Sequence, residues 1–462
     1  MPVNSTHPSY DAAIDKWQRC RDAYEGEDAV KGRGKGYLPM PGGMEPDQFK
    51  NYVTRALYYE AVGRTVDGFV GAIVRKPPTI NVPEALIPLI EDVTGDGLDI
   101  IEFTKLCCAE TMLVGRCGLL VDFDDDTQRP YIRLFQAEAI RNWSDNSIVL
   151  FEKVYEADAK DAFKTKAIDQ YRQLSVEDGR YTVHLWRKKD ADLHGSEWLP
   201  YEETTPTNRG RSLDAIPFFW LSNYGGTSRI DKPPLLGLVN VALSHYRNSA
   251  DLEHGRHFTG LPTLYVTGQS PEDGVAIGPT SVILCPDANS KVGYAEFSGQ
   301  GLKSLEVALE TKEQKMAALG AAVFTDQRSS VETAETARIR NSGETSLLMA
   351  VVSAVEKTLE QAFACAASWW SVTGEIDIDL NRDFIDSKLD PQMMTALTAA
   401  YQAGTISLDT YLYNIQKAEM LPPNRTIDEE KEAIATAQAE KETAADAAVE
   451  EVTETDGGEE SA

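Results

Sequence analysis

Gly301-Leu-Lys-Ser-Leu-Glu-Val-Ala-Leu-Glu-Thr-Lys-Glu-Gln-Lys-Met-Ala-Ala-Leu-Gly-Ala-Ala-Val323 is the stretch on which the reading of this chain turns. Leu302, Leu305, Leu309, Met316, Leu319 and Val323 recur at spacings of three, four and seven, with Lys and Glu between them. That pattern predicts a helix over 301–323 with an apolar seam, roughly 35 Å long at 1.5 Å per residue. A second helix is expected just upstream. Pro233–Pro234 open Leu235–Phe258, where Leu235, Leu238, Ala242 and Tyr246 share a side, and proline suits a first turn because its missing N–H would lack a partner there anyway. Between the two lie β-like runs at Thr263–Thr267, Ser281–Leu284 and Val292–Phe297, separated by Gly, Pro, Asp and Asn. A small β module is therefore expected between two helices.

Downstream, Phe324–Glu332 is polar, and Thr333–Ser371 reads as a helix without proline, roughly 58 Å if unbroken. Gly343 lies within it beside Ser342, a pair that favours a kink. Glu375–Leu380 alternates as a strand. Asp390-Pro391 starts another helix closed by Gly404, and Ser407–Met420 forms a last one before Pro422–Pro423.

Upstream, the first 231 residues read as a mixed α+β body. Asp11–Glu25 is helical up to Gly26; Gly32, Gly34 and Gly36 form a loop; Pro46–Val74 is expected as one long helix stopped by Pro77–Pro78. A helix follows near Ile100–Val114. Strands are expected at 118–123, 131–135, 148–157, 170–174, 181–187 and 216–222. The fold class is thus α+β and helix-rich.

Composition narrows the function. Of 462 residues, 42% are hydrophobic and 26% charged, ordinary for a globular chain with a sizeable core. No run of 18 apolar residues occurs and the start lacks the pattern of a signal peptide, so a cytosolic chain with no membrane partner is expected. The six cysteines show no C-x-x-C pair and read as small buried hydrophobes. The net charge is −28, and residues 427–462 hold 13 acidic residues against two lysines. That acidic, alanine-rich tail has no aromatic residue and is expected to be helical at its start at most, and disordered at its end. Tight duplex binding needs clustered Lys and Arg, and Lys31–Lys35 is the only such cluster.

No Walker A run exists. Asp122–Asp126 resembles the start of a calcium loop, but Thr127 stands at position six and Arg133 at position twelve, so an acidic hairpin turn is the better reading. His245, His254 and His257 lie on one predicted helix, where a solvated polar face accounts for them better than a metal does. No nucleophile elbow occurs, and no carboxylate pair stands out. The tryptophans read as core. No catalytic residue, metal site or cofactor is assigned, and the chain is expected not to be an enzyme.

Three stretches carry a resemblance. His7-Pro-Ser-Tyr…Trp17-Gln-Arg-Cys-Arg-Asp-Ala-Tyr-Glu-Gly with Tyr37-Leu-Pro is the first. Arg55-Ala-Leu-Tyr-Tyr…Gly63-Arg-Thr-Val-Asp-Gly-Phe-Val-Gly…Arg75-Lys-Pro-Pro is the second, and Gly115-Arg-Cys-Gly-Leu-Leu-Val-Asp-Phe…Asn142-Trp143 the third. Together they resemble the portal proteins (head–tail connectors) of tailed bacteriophages over most of the chain except its tail. The order of elements is similar too. The resemblance implies a wing over 1–232, stem helices at 233–259 and 301–323, and a clip at 260–300. It further implies a tunnel loop at 324–332, a long kinked helix with a returning wing strand over 333–389, a crown at 390–426 and the acidic tail at 427–462.

By that resemblance twelve copies would form a ring at the capsid vertex of a virion, assembled in the host cytoplasm. Double-stranded DNA would pass through without tight binding during packaging and ejection. Thr325, Asp326, Gln327, Arg328, Ser329 and Ser330 would narrow the channel. Gly268, Gln269, Ser270, Glu272, Asp273 and Gly274 would form the clip loop that docks the terminase large subunit and then the tail adaptor. Major capsid and scaffold proteins would be further partners. A phage enzyme (a nuclease or head-maturation protease) and another virion scaffold or adaptor protein stay open as alternatives.

Overall fold

The computed structural model describes residues 2–158, 161–188, 197–208, 210–223, 225–259, 263–267, 289, 291–295, 300–320, 334–384, 391–417, 420–422 and 425–439. The chain divides into two compact units, Met1–Phe384 and Ile385–Ala462. The fold is α+β and helix-rich.

The first unit opens with α1 (Pro8–Asp11), α2 (Ile14–Glu25) and α3 (Glu27–Gly32), followed by α4 (Pro46–Arg55) and α5 (Ala61–Ile73). Instead of one helix over 46–74 there are two. Ala56 leaves the helical region, and the chain crosses to α5 with its N–H groups satisfied from elsewhere. Leu57 N–H donates to Ser249 Oγ, Tyr58 N–H to Glu27 Oε2, and the Tyr58 hydroxyl to the Ala23 carbonyl. Tertiary partners outweigh local helical preference here. The expected glycine loop is also corrected, since α3 runs to Gly32 and Gly34–Gly36 form a 3-10 turn.

Next come β1 (Thr79–Asn81), α6 (Ile87–Glu91) and α7 (Ile100–Val114). Asp99 caps α7 by accepting the Glu102 N–H at 2.8 Å, and Gly115 ends it at a φ of 86°, the left-handed exit that glycine supplies most cheaply. β2 (Arg116–Asp124) and β3 (Arg129–Gln136) form a hairpin. A five-stranded antiparallel meander follows: β4 (Ile140–Ser144), β5 (Ser147–Asp158), β6 (Asp161–Glu177), β7 (Arg180–Lys188) and β8 (Trp198–Thr204). β9 (Thr207–Asn208) and β10 (Arg211–Ser212) pair with each other. β11 (Phe218–Ser222) joins β2, giving a sheet of order β11-β2-β3.

The remaining elements of this unit are α8 (Leu236–Thr259), β12 (Thr263–Thr267), β13 (Lys291–Ala295), α9 (Gln300–Leu319), α10 (Ala334–Trp370) and β14 (Asp377–Asp379). Along α10, Leu348, Val351, Val352, Val355, Leu359, Ala362, Phe363 and Ala366 are all buried. Their steps of three, one and four trace a single helical stripe, which packs on α7, α5 and the β11-β2-β3 sheet. After α10 the chain returns, and β14 pairs antiparallel with β1, Ile378 opposite Ile80. Glu356, buried on α10, fastens this return by accepting the Leu380 N–H at 2.9 Å and the Arg382 guanidinium at 2.7 Å.

In the second unit, α11 (Pro391–Gln402) and α12 (Leu408–Lys417) stack Tyr401 on Tyr411 at 4.8 Å. Residues 427–439 are helical, capped by Thr426, and Lys431 reaches Asp409 at 2.7 Å. The start of the acidic tail is therefore an ordered helix, while 440–462 lie outside the described residues.

Candidate functional site: the helix pair and its β insert

Burial along α8 shows how the pair is mounted. Leu236, Leu238, Val239, Ala242, Leu243, Tyr246 and Ala250 sit in the main core, whereas Phe258 near the far end is 64% exposed. One end of the helix is rooted in the body and the other leaves it. α9 runs back alongside. Arg256 bonds Glu306 at 2.9 Å, His245 Nε2 lies 3.1 Å from Glu313, and Lys312 donates to the Ser244 carbonyl at 2.9 Å. As residue numbers rise on one helix the partners fall on the other, so the two are antiparallel. At the far end Gly255 takes the approach of Leu302: a Cβ there would stand 2.5 Å from Leu302 Cδ2. At the near end Gly320 lies against Thr65 of α5.

Beyond the far end, β12 and β13 pair antiparallel, Tyr265 opposite Gly293. Two of the three expected insert strands are thus paired, and Ser281–Leu284 lies outside the described residues.

Burial along α9 is uneven at the residues expected on its apolar seam, and Val323 lies outside the described residues. Leu309 and Met316 are buried, Leu302 and Leu305 half-buried, while Leu319 is 48% exposed. A heptad count puts Leu319 on the seam. A helix turning 100° per residue against a single partner instead carries the face from Met316 to Gly320.

Gly343 falls inside α10 with helix on both sides. The channel residues Thr325, Asp326, Gln327, Arg328, Ser329 and Ser330 and the clip residues Gly268, Gln269, Ser270, Glu272, Asp273 and Gly274 lie outside the described residues.

The histidines on α8 point to separate neighbours. His245 is buried against Glu313 and Tyr59, His254 meets Tyr52 and Phe258 edge-on, and His257 lies 3.1 Å from Arg55. Burial first, then the charges of Arg55 and His257, hold the His254 imidazole below its ordinary pKa. Among the described residues no three His, Cys, Asp or Glu form a group able to hold a metal ion, and no helix is long and apolar enough to cross a membrane.

The basic stretch 31–35 is largely engaged within the chain: Lys31 pairs with Glu27 at 2.6 Å and Arg33 with Asp22 at 2.7 Å, while the exposed Lys35 lies over the Phe49 ring at 5.9 Å. The Asp122–Asp126 stretch ends β2 and turns into β3, with Asp124 accepting from Thr127 and from the Asp126 N–H. Sequence reasoning missed Arg116. It is 1% exposed and lies between Trp143 and Trp220, at 4.7 and 4.3 Å from the ring centres. Stacking offsets part of the cost of burying its charge, and burial lowers its pKa to about 10.

Residues 234–370, from α8 through α10, match a family described as a domain of unknown function, DUF4055. No curated protein is similar to the chain in sequence. Among solved structures, a chain titled "Neck of empty GTA particle computed with C6 symmetry" is 11% identical, with a TM-score of 0.41 over 86% of this chain and 99% of that one. A chain of the "Virion of native gene transfer agent (GTA) particle" is 10% identical, with a TM-score of 0.38 over 83% of this chain and 94% of the other. One from the "Neck of native GTA particle computed with C12 symmetry" is 12% identical, with a TM-score of 0.37 over 86% and 99%.

Proposed function

We propose that this chain is the subunit of a portal-type ring at the vertex of a phage-like capsid, a conduit for double-stranded DNA with no catalytic step of its own. The observation that carries the reading is the α8–insert–α9 hairpin: two antiparallel helices leave the body, end in a small β module and return to it. A polar segment and a long helix, with a buried stripe over 348–366, follow. In a ring, such hairpins stand side by side around the axis and form a wall, with the β modules at one end as the docking surface for the packaging motor and then the tail adaptor. α10 and the β1–β14 pair anchor each hairpin in its own body.

Charge fits passage without grip. Twelve copies at −28 each carry a formal charge on the order of −340. Screening within about 8 Å leaves only wall residues acting on the duplex. Two of the three basic residues at 31–35 are already paired with carboxylates, so only Lys35 is left there to meet a phosphate, too little for a gripping cluster.

Negative-stain images of the purified chain are expected to show rings with an axial hole. A compact monomer at every concentration would remove the proposal, and metal-dependent cleavage of DNA would favour an enzyme. For the 324–332 segment, changing Arg328→Ala and Asp326→Ala separately is expected to alter DNA packaging or retention in at least one case. Normal packaging and retention in both would take these positions out of the mechanism.

A further inference from the structure

The helix pair carries unlike charges on its two flanks. Turning about 100° per residue around α9, Glu306, Glu310 and Glu313 fall on one side of the buried stripe, and Lys312, Lys315 and Leu319 on the other. The glutamates line a groove of about 520 Å³ together with Glu27 and Glu253. Arg256 and His245 are the basic residues along it. Arg256 is engaged by Glu253 and Glu306, whereas Glu310 is exposed and has no ion pair among the described residues. The groove floor is apolar in part, since Leu57 and Tyr59 are 55% and 43% exposed.

The opposite flank carries Arg247, Lys312 and Lys315, with one carboxylate, Asp251, a turn beyond Arg247 and accepting from the Tyr52 hydroxyl. Arg247 of α8 lies half a turn of helix away from the groove-lining His245, Ser249 and Arg256. It comes near Lys312 of α9. Burial, then the charges of Arg247 and Lys315, draw the Lys312 ammonium below its ordinary pKa. Neither Arg247 nor Lys315 has an acidic partner among the described residues. Leu319, exposed although expected on the seam, falls on this flank one turn beyond Lys315.

Copies carrying −28 each repel one another at long range, so a lasting contact needs local complementarity. A head-to-tail contact joins two different surfaces of one chain and, repeated around an axis, closes a ring. We propose that the acidic groove of one copy receives the cationic flank of the next, with Arg247 and Lys315 against Glu306 and Glu310 and the exposed Leu319 on the Leu57–Tyr59 side. The inference rests on the ring reading and names the surfaces that build the ring.

The test uses the full chain and counts rings by negative stain and mass photometry at one fixed concentration and salt. Glu306→Lys/Glu310→Lys and Arg247→Glu/Lys315→Glu are each expected to lower the ring fraction about tenfold or more. Mixing the two, or combining all four changes in one chain, is expected to restore it. Glu310→Lys and Lys315→Glu alone, at positions without intramolecular ion pairs, serve as fold-sparing versions checked by circular dichroism. Charge-reversed chains that assemble as the wild type does would overturn the flank pairing and leave the ring standing. So would folded reversed chains that neither mixing nor combination rescues. A wild-type chain that never assembles would overturn the ring itself, and the pairing with it.

Discussion

An Arg21→Ala chain is expected to lose about 3 kcal/mol of stability, because it strips the counter-charge from one buried and one partly buried carboxylate. Arg21 on α2 is doubly bidentate. It bonds Glu110 of α7 through Nη1 at 2.6 Å and through Nη2 at 2.5 Å. It also bonds Glu138 through Nε at 2.8 Å and Nη2 at 3.0 Å. Gln136 adds a third donor to Glu110 at 3.0 Å. Side-chain exposures of 13% for Arg21 and 10% and 20% for the two glutamates leave little solvent to screen the loss.

Burial works against the guanidinium charge, but the bonds to Glu110 and Glu138 outweigh it and raise its pKa above the ordinary arginine value. For a basic group raised on folding, the stabilisation is complete below the unfolded pKa and fades only above it. The contribution of Arg21 is therefore constant across the working pH range. Urea denaturation followed by tryptophan fluorescence measures the loss. A cost under about 1 kcal/mol, the level of an exposed pair, would mean that the network does not hold α2 to α7.

Gly118→Val is expected to be as damaging, about 3 kcal/mol or more, through overpacking. Gly118 lies in the middle strand of the β11-β2-β3 sheet, and the Phe218 ring covers it. A Cβ at 118 would stand 2.0 Å from Phe218 Cζ and 2.6 Å from Cε1. Phe218 is 8% exposed and meets Trp220 edge-on at 5.0 Å, so it has little room to withdraw. Phe218→Ala opens the space. The double variant Gly118→Ala/Phe218→Ala should then cost clearly less than the sum of its single changes. Strict additivity in the same denaturation assay would refute the contact.

Helices with sharp ends were legible in the sequence. α7 occupies the expected 100–114, with Asp99 and Gly115 at its ends, and α8, α9 and α10 fall close to their anticipated bounds. β8 was not seen because most of Trp198–Thr204 is exposed on both faces, and the first half of β6 is exposed likewise. Such segments carry no apolar alternation to read. The break at 56–60 depends on Ser249 and Glu27, far off in sequence, so no local signal announces it.

The candidate contact surfaces were hidden for a related reason. Glu306, Lys312, Glu313 and Lys315 look interleaved along the chain. They sort into an acidic and a basic side only once the antiparallel placement of α8 fixes which face of α9 is turned inward.

The β1–β14 ladder ties residues 79–81 to 377–379, which has a consequence for synthesis. At about 5–20 residues per second, a ribosome takes on the order of 15–60 seconds to pass from one strand to the other. Throughout that interval Ile80 has no strand beside it, and the bed that receives α10 lies open. Nascent chains of this protein are then at their most vulnerable to chaperones, proteases and one another, and only release of the final third closes the window.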